Sequence, residues 1–336
     1  MKKGVVSLIV LLFVMAVSLF ASYGWWNKNI TSVSNDETPI YFVVPKGASA
    51  MQIGNKLHDA NLITSTLAYK LYIQFSGKAK KINAGEFKLA KNMSVSEIVE
   101  ALQGGPLELW VTIPEGLRKE EMTDIFIESL QMNPETASTF ESEFLSISKG
   151  KEGYLFPDTY LFPPDAAASV IVGRLEIVFD TRIGEFEEGI KDSAYSLNEI
   201  ITMASILERE TVTDEERSIV AGILWKRLET DGWLLQADAT VQYAIANANC
   251  ELRITNCEWW PILTKANLEI DSAYNSYKYK PLPPTPIANP GTASIKAAIY
   301  PESSSYWFYI HDVDGAIHYA ETIQQHNANV RKYLGK

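Results

Sequence analysis

Two capping boxes that follow one another closely constrain this chain more than any other feature. Ser196 and Glu199 form an S-x-x-E box, and Thr213 with Glu216 forms a second. Each box satisfies the orphan N–H groups at the start of a helix. Ile200, Met203, Ala204 and Leu207 recur between them at helical spacing, so the first helix has a face to bury. It must end just before Thr213, which leaves Glu208 and Glu210 in its last turn. A carboxylate there faces the negative end of the helix dipole. Partial burial would raise its pKa and suit it to general acid or base work. Solvated charges at a helix end fit the same pattern, and this stretch alone does not separate the two readings.

The N-terminus constrains placement. Lys2 and Lys3 precede Gly4 to Asn27, a run without a charged residue. Such a run is long enough to cross a hydrocarbon core of about 30 Å as a helix. Tyr23, Trp25 and Trp26 sit at its far end, where an aromatic belt belongs. The lysines place the N-terminus in the cytoplasm and the remaining chain outside it. A cleaved signal peptide competes with this reading, but the apolar run is longer than a usual signal core and its small-residue cleavage site is poor. Residues 1–27 are therefore read as a cytoplasmic tip and transmembrane anchor, and residues 28–39 as a polar linker. The net charge of −11 across 336 residues, with no long basic run after the N-terminus, argues against nucleic acid as a partner. Cys250 and Cys257 lie close enough to close a short loop as a disulfide in an oxidising compartment. Two free thiols are the alternative, and no histidine stands near them to complete a metal site.

Beyond the linker, Ile40–Val44 reads as a strand, followed by a helix behind the Ser49/Gln52 capping box. A helix over Thr66–Phe75 and a short strand over Ala84–Leu89 follow. The Ser94/Glu97 box then opens a helix running to Leu102. Leu107–Ile113 is a further strand. The sequence strand, [VI]-P-x-G, helix occurs at Val44 and again at Ile113, which points to similar strand-to-helix turns. A small strand–helix–helix–strand domain over 40–112 results. From 117 onward the chain is mainly helical, so the fold class is α+β. No G-x-G-x-x-G, P-loop, C-x-x-C, H-E-x-x-H or G-x-S-x-G motif occurs. The pattern implies no cofactor. His58, His311, His318 and His326 show no metal-ligand spacing, so no metal is expected.

Three further segments could carry chemistry. Glu152–Pro163 (EGYLFPDTYLFP) sets Tyr154 and other aromatics beside Asp158, and flat rings beside a carboxylate suit the apolar faces of sugars. A packed structural loop fits equally. Leu234–Val241 (LLQADATV) places Gln236 and Asp238 within an apolar run. They could bind substrate, or Asp238 could simply cap the next helix. Tyr274–Gly291 holds Tyr274, Asn275 and Tyr277 ahead of a proline-rich stretch. Such a loop loses little entropy on ordering and makes a good cleft wall, although it could also be a stiff surface connection.

Taken together and in order, EGYLFPDTY, ASILERET, LQADATV, YNSY, LPPTPIANPG and ASIKAAIYP resemble the YceG-like family of endolytic murein transglycosylases, from the anchor to Tyr333. The resemblance implies a single-pass inner-membrane protein whose catalytic domain, residues 113–336, is periplasmic. The 40–112 region corresponds to a LysM-like subdomain. The implied reaction is lytic cleavage of peptidoglycan between N-acetylmuramic acid and N-acetylglucosamine, leaving 1,6-anhydro-muramoyl ends, beside peptidoglycan synthases. The family's catalytic glutamate is the second acid of E-x-E-T, which maps onto Glu210, with Glu208 as fallback. Gln236, Asp238, Tyr274, Asn275, Tyr277, Tyr154 and Asp158 are the expected substrate contacts. Two positions depart from the family pattern: Thr285 stands where glycine is common, and Ala239 where proline is frequent. A muramidase that hydrolyses the same bond and a non-catalytic peptidoglycan-binding scaffold are the competing functions.

Overall fold

The computed structural model describes residues 2–77, 82–105, 107–250 and 258–335, with side chains described from Leu11 onward. The chain divides into two compact units, Met1–Val111 with Tyr160–Asp165, and Thr112–Thr159 with Ala166–Lys336.

The first unit begins with α1 (Lys2–Ile30). Among the described residues no helix is long and apolar enough to cross a membrane, so the expected transmembrane span is not supported. Strand β1 (Ile40–Val44) then leads into α2 (Ala50–Asp59) and α3 (Thr66–Ser76). Strand β2 (Gly85–Leu89), α4 (Val95–Gln103) and β3 (Leu109–Thr112) follow. β1 pairs antiparallel with β2, from Ile40 opposite Leu89 to Val44 opposite Gly85. Alternate residues of a strand share a face, and here Phe42, Val44, Phe87 and Leu89 turn inward. They meet Ile53 and Leu57 of α2, Tyr69 and Ile73 of α3, and Ile98, Val99 and Leu102 of α4. Both capping boxes of this unit close as the sequence implies, Ser49 with Gln52 and Ser94 with Glu97. The Trp110 indole Nε1 donates to the Val44 carbonyl at 3.1 Å, tying β3 to β1.

The second unit is mainly helical. Helices α5 (Lys119–Ser129) and α6 (Pro134–Ile147) are joined through Phe126, Phe140 and Phe144, whose ring centroids lie 5.6–6.3 Å apart. Strand β4 (Thr159–Phe162) pairs with β3, which brings Tyr160–Asp165 into the first unit. After α7 (Ala168–Gly184) and α8 (Glu187–Asp192) comes α9 (Leu197–Glu210), buried without interruption from Ile200 to Leu207. A helix buried all round needs neighbours on every side. They include α10 (Asp214–Glu229), α11 (Asp238–Cys250) and α12 (Thr292–Ile299). An antiparallel hairpin, β5 (Phe308–His311) and β6 (Ile317–Ala320), and α13 (Ile323–Asn329) complete the described elements, with two short helical turns at Lys265–Glu269 and Val330–Leu334.

The two [VI]-P-x-G turns share a conformation. Gly47 and Gly116 both lie in the left-handed region, at φ +76° and +78°. Cys250 ends α11 and is not a free thiol, while Cys257 lies outside the described residues.

Candidate active site

Helix α9 starts at Ser196, whose side chain accepts from the Glu199 amide while the Glu199 carboxylate accepts from the Ser196 amide at 2.8 Å. The helix stops after Glu210, where the Thr211 hydroxyl donates back to the Leu207 carbonyl at 2.7 Å. Inside the helix, the Ser205 hydroxyl donates to the Thr202 carbonyl and accepts from the Ile287 amide at 3.0 Å, which fixes α9 against the proline-rich loop.

The two glutamates at the end of α9 have different surroundings. Glu208 is consumed by structure. Its Oε1 accepts from Arg217 Nη2 at 3.2 Å, its Oε2 accepts from the Gly291 amide at 2.9 Å, and its side chain is only 6% exposed. Gly291 also lies against Glu115: a Cβ there would fall 1.7 Å from its Oε1, so that carboxylate would have to shift. Burial and the charge of Glu208 push the Glu115 carboxyl up from its ordinary range.

Glu210 faces a separate cluster. Its Oε2 accepts from the Tyr309 phenol at 3.0 Å. Burial raises its pKa. The charge of Asp238 adds to the rise, and the Tyr309 hydrogen bond, the Ala239 backbone amide and Arg227 offset part of it. Burial, reinforced by the Glu210 charge, keeps the Tyr309 phenol protonated and therefore a donor. Arg227 is itself fully engaged: Nη1 donates to the Leu235 carbonyl at 2.7 Å, and Nε and Nη2 to the Trp307 carbonyl at 2.9 and 2.6 Å. Its guanidinium is ringed by Trp233, Phe308 and Tyr309. It thus supplies a fixed positive charge near Glu210 without forming an ion pair.

Asp238, the first residue of α11, accepts from the Tyr277 phenol at 2.6 Å. Burial and this carboxylate hold the Tyr277 pKa high. Gln236 is exposed and sits at φ +57°, a left-handed conformation that costs a non-glycine residue about 1–2 kcal/mol. It is held there by its amide, which donates to the Ser276 carbonyl at 3.1 Å, and by the Ala237 amide, which donates to the Ser276 hydroxyl at 3.0 Å. Gln236 and Asp238 therefore emerge together on the solvent side, with Leu235 and Ala237 buried between and before them.

The remaining expected contacts are placed otherwise. The Tyr274 hydroxyl shares a hydrogen bond with the Thr285 hydroxyl at 2.6 Å, and its ring packs on Tyr243. Asn275 is fully buried; its Nδ2 donates to the Leu268 and Ile270 carbonyls and its Oδ1 accepts from the Tyr277 amide, so it shapes the loop and has no group left for substrate. The Tyr154 hydroxyl donates to Asn198 at 3.2 Å. Asp158 pairs with Arg182 at 3.3 Å and accepts from the Thr159 amide. Neither residue has a hydrogen bond or ion pair to the Glu210 cluster.

Sequence reasoning missed Tyr309, Arg227 and Asn289. Tyr309 is separated from Glu210 by 99 positions and lies on a short strand without a motif. Arg227 reads as an ordinary helix-end cation. Asn289 is the hub of the proline-rich loop. Its Oδ1 accepts from the Gly153 and Leu155 amides at 2.9 and 3.1 Å, and its Nδ2 donates to Glu152 and the Leu117 carbonyl at 2.7 and 3.0 Å. Among the described residues no group of three or more His, Cys, Asp or Glu side chains is placed to hold a metal ion.

Comparison with known proteins shows the family of the chain. The YceG-like family model matches residues 42–332. An endolytic murein transglycosylase of Bacillus subtilis is 28% identical, over 89% of this chain and 86% of its own length. One of Streptococcus pneumoniae is 24% identical over 99% of this chain, which spans 65% of the pneumococcal protein's length. The crystal structure of a YceG-like protein from Listeria monocytogenes superposes with a TM-score of 0.55 at 27% identity, covering 87% of this chain and 99% of that one. The chain belongs to the YceG-like family.

Proposed function

We propose that the chain is a lytic transglycosylase of peptidoglycan, with Glu210 as its general acid and base. The observation that carries this reading is the division of labour at the end of α9. Glu208 is tied down by Arg217 and Gly291, whereas Glu210 is half-buried, pushed up in pKa and held only by neutral donors, the Tyr309 phenol and the Ala239 amide. A carboxyl whose pKa is raised keeps its proton to higher pH than an ordinary glutamate and can protonate the glycosidic oxygen of a bound strand. As the bond to the leaving sugar breaks, positive charge develops at the anomeric carbon of the muramoyl ring. Asp238, held by Tyr277, supplies the nearby negative charge that stabilises it. The muramoyl 6-hydroxyl then attacks that carbon and gives its proton to the Glu210 carboxylate, which closes the 1,6-anhydro ring and returns Glu210 to its acid form. The Tyr309 hydrogen bond stabilises Glu210 during the interval in which it is charged. No water is consumed. The names of the B. subtilis and S. pneumoniae relatives support the same reading.

Asp238 favours one competing reading. A second carboxylate near the acid is what a hydrolytic glycosidase uses to direct water or form a covalent intermediate. Mass analysis of strands cut by the purified chain decides between them: anhydro ends support the lyase, and products one water heavier support a muramidase.

We further propose that α1 attaches the chain to a membrane surface facing the wall. Leu11, Phe13, Leu19 and Phe20 are 64%, 69%, 64% and 81% exposed and lie on different sides of α1, so its apolar surface is open all round. Full release of the chain from membranes by high salt alone would refute this.

A further inference from the structure

Arg209 stands between the two glutamates of α9, and the mechanism above gives it no task. Its guanidinium lies over the Trp260 ring, 3.9 Å from the centroid. Trp260 is itself held, because its Nε1 donates at 3.0 Å to Glu121 Oε2, the atom that also accepts from the Arg118 amide at 3.0 Å. Gly116 packs closely alongside: a Cβ there would lie 3.3 Å from Cγ of Glu208, 3.6 Å from Cδ of Arg209 and 3.7 Å from its Nη1.

The other arginines of this region are occupied. Arg217 holds Glu208, Arg227 holds two backbone carbonyls, and Arg118 bonds Glu120 and Asn247. Arg209 is exposed, and among the described residues it donates no hydrogen bond and forms no ion pair. The carboxylates of Glu121, Glu208 and Glu210 act on it only at longer range. An arginine held over an indole has its rotamers restricted, and the donors of its planar guanidinium lie in one plane. That geometry is organised in advance to receive a carboxylate in a bidentate manner. In a chain of net charge −11, a free cation next to the proposed acid runs against the prevailing sign and attracts anionic substrate groups.

We infer that Arg209 is a specificity-determining residue that receives a carboxylate of the muramoyl unit, either the lactyl group of a peptide-free strand or an acidic group of the peptide stem. This rests on the glycan-cleaving reading of Glu210.

The test compares the purified chain with Arg209→Gln and Arg209→Lys on three substrates: peptide-bearing strands, amidase-stripped strands with free lactyl carboxylates, and stripped strands whose carboxylates are capped as methylamides. Arg209→Gln is expected to lower kcat/KM on a carboxylate-bearing substrate about tenfold more than on the capped one, mainly through KM, with Arg209→Lys recovering part of the loss. A selective loss on stripped strands assigns the lactyl group, and a loss confined to peptide-bearing strands assigns the stem. Equal loss on all three substrates, as expected if Arg209 merely caps the helix end, overturns the proposal, as does no loss on any. Failure of the wild-type chain to cut all three would instead refute the reading of Glu210.

Discussion

The Tyr309 phenol, on the first strand of the C-terminal hairpin, donates to Oε2 of Glu210 across 3.0 Å. Because burial keeps that phenol protonated, the hydrogen bond favours the charged form of Glu210 and restrains the rise that burial imposes. Removing it in Tyr309→Phe should raise the Glu210 pKa further. In a pH profile of kcat/KM, the alkaline limb, where the acid loses its proton, should move to higher pH. A hydrogen bond to a charged group contributes about 1.5–3 kcal/mol, so activity at the optimum should fall about tenfold or more. A limb that moves to lower pH would contradict this assignment.

Ala239 tests the same balance from the backbone. Its amide stabilises the Glu210 carboxylate, and a proline at that position has no N–H to give. Proline is otherwise well suited to the first turn of a helix. Ala239→Pro should therefore leave thermal stability near that of the wild type and shift the alkaline limb upward, in the same direction as Tyr309→Phe. An unchanged profile would show that the amide does not act on Glu210.

Stability should also depend on Glu210 in a defined pH window. A carboxyl whose folded pKa is raised binds its proton more tightly in the fold than in the unfolded chain. Its contribution is fully present below the ordinary glutamate range and is lost as pH rises through the raised folded value. Glu210→Gln should then melt higher than wild type at pH 8, by a few degrees (about 2–4 °C per kcal/mol). The gap should close at pH 4. A variant that melts lower than wild type at pH 8 would contradict the burial argument.

The Arg217–Glu208 pair behaves differently, because both side chains are nearly buried and interlocked with Gly291. Breaking a buried pair from one side leaves an uncompensated charge and costs about 3–5 kcal/mol. Arg217→Met should destabilise the chain by that order in denaturant unfolding, and adding Glu208→Gln should recover part of the loss. Equal loss in the single and double variants would show that the pair is not coupled.

Much of this frame was legible in the sequence, and the reason is local chemistry. The Ser196/Glu199 and Thr213/Glu216 boxes delimit α9 and open α10 because capping is a four-residue interaction. The β-branched and aromatic run Ile40–Val44 marks β1 as a strand, again from residues adjacent in the chain, whereas which face it buries is set by the structure. What was not legible depends on contacts distant in the chain. Periodicity leaves Glu208 and Glu210 alike; Arg217, Gly291 and Tyr309, brought in from three other segments, distinguish them. The proline-rich loop was read as stiff because of its prolines, whereas its anchor is Asn289, whose four bonds reach Gly153, Leu155, Glu152 and Leu117. The Thr285 departure has a local consequence, since its hydroxyl engages Tyr274.

The measurement that tests the central claim most directly is a count of 1,6-anhydro-muramoyl ends released from peptidoglycan by wild type, Glu210→Gln and Glu208→Gln, each verified as folded. The account predicts anhydro ends from the wild type, none above background from Glu210→Gln, and retained cleavage by Glu208→Gln. Full activity in Glu210→Gln, or loss of cleavage only in Glu208→Gln, would contradict it.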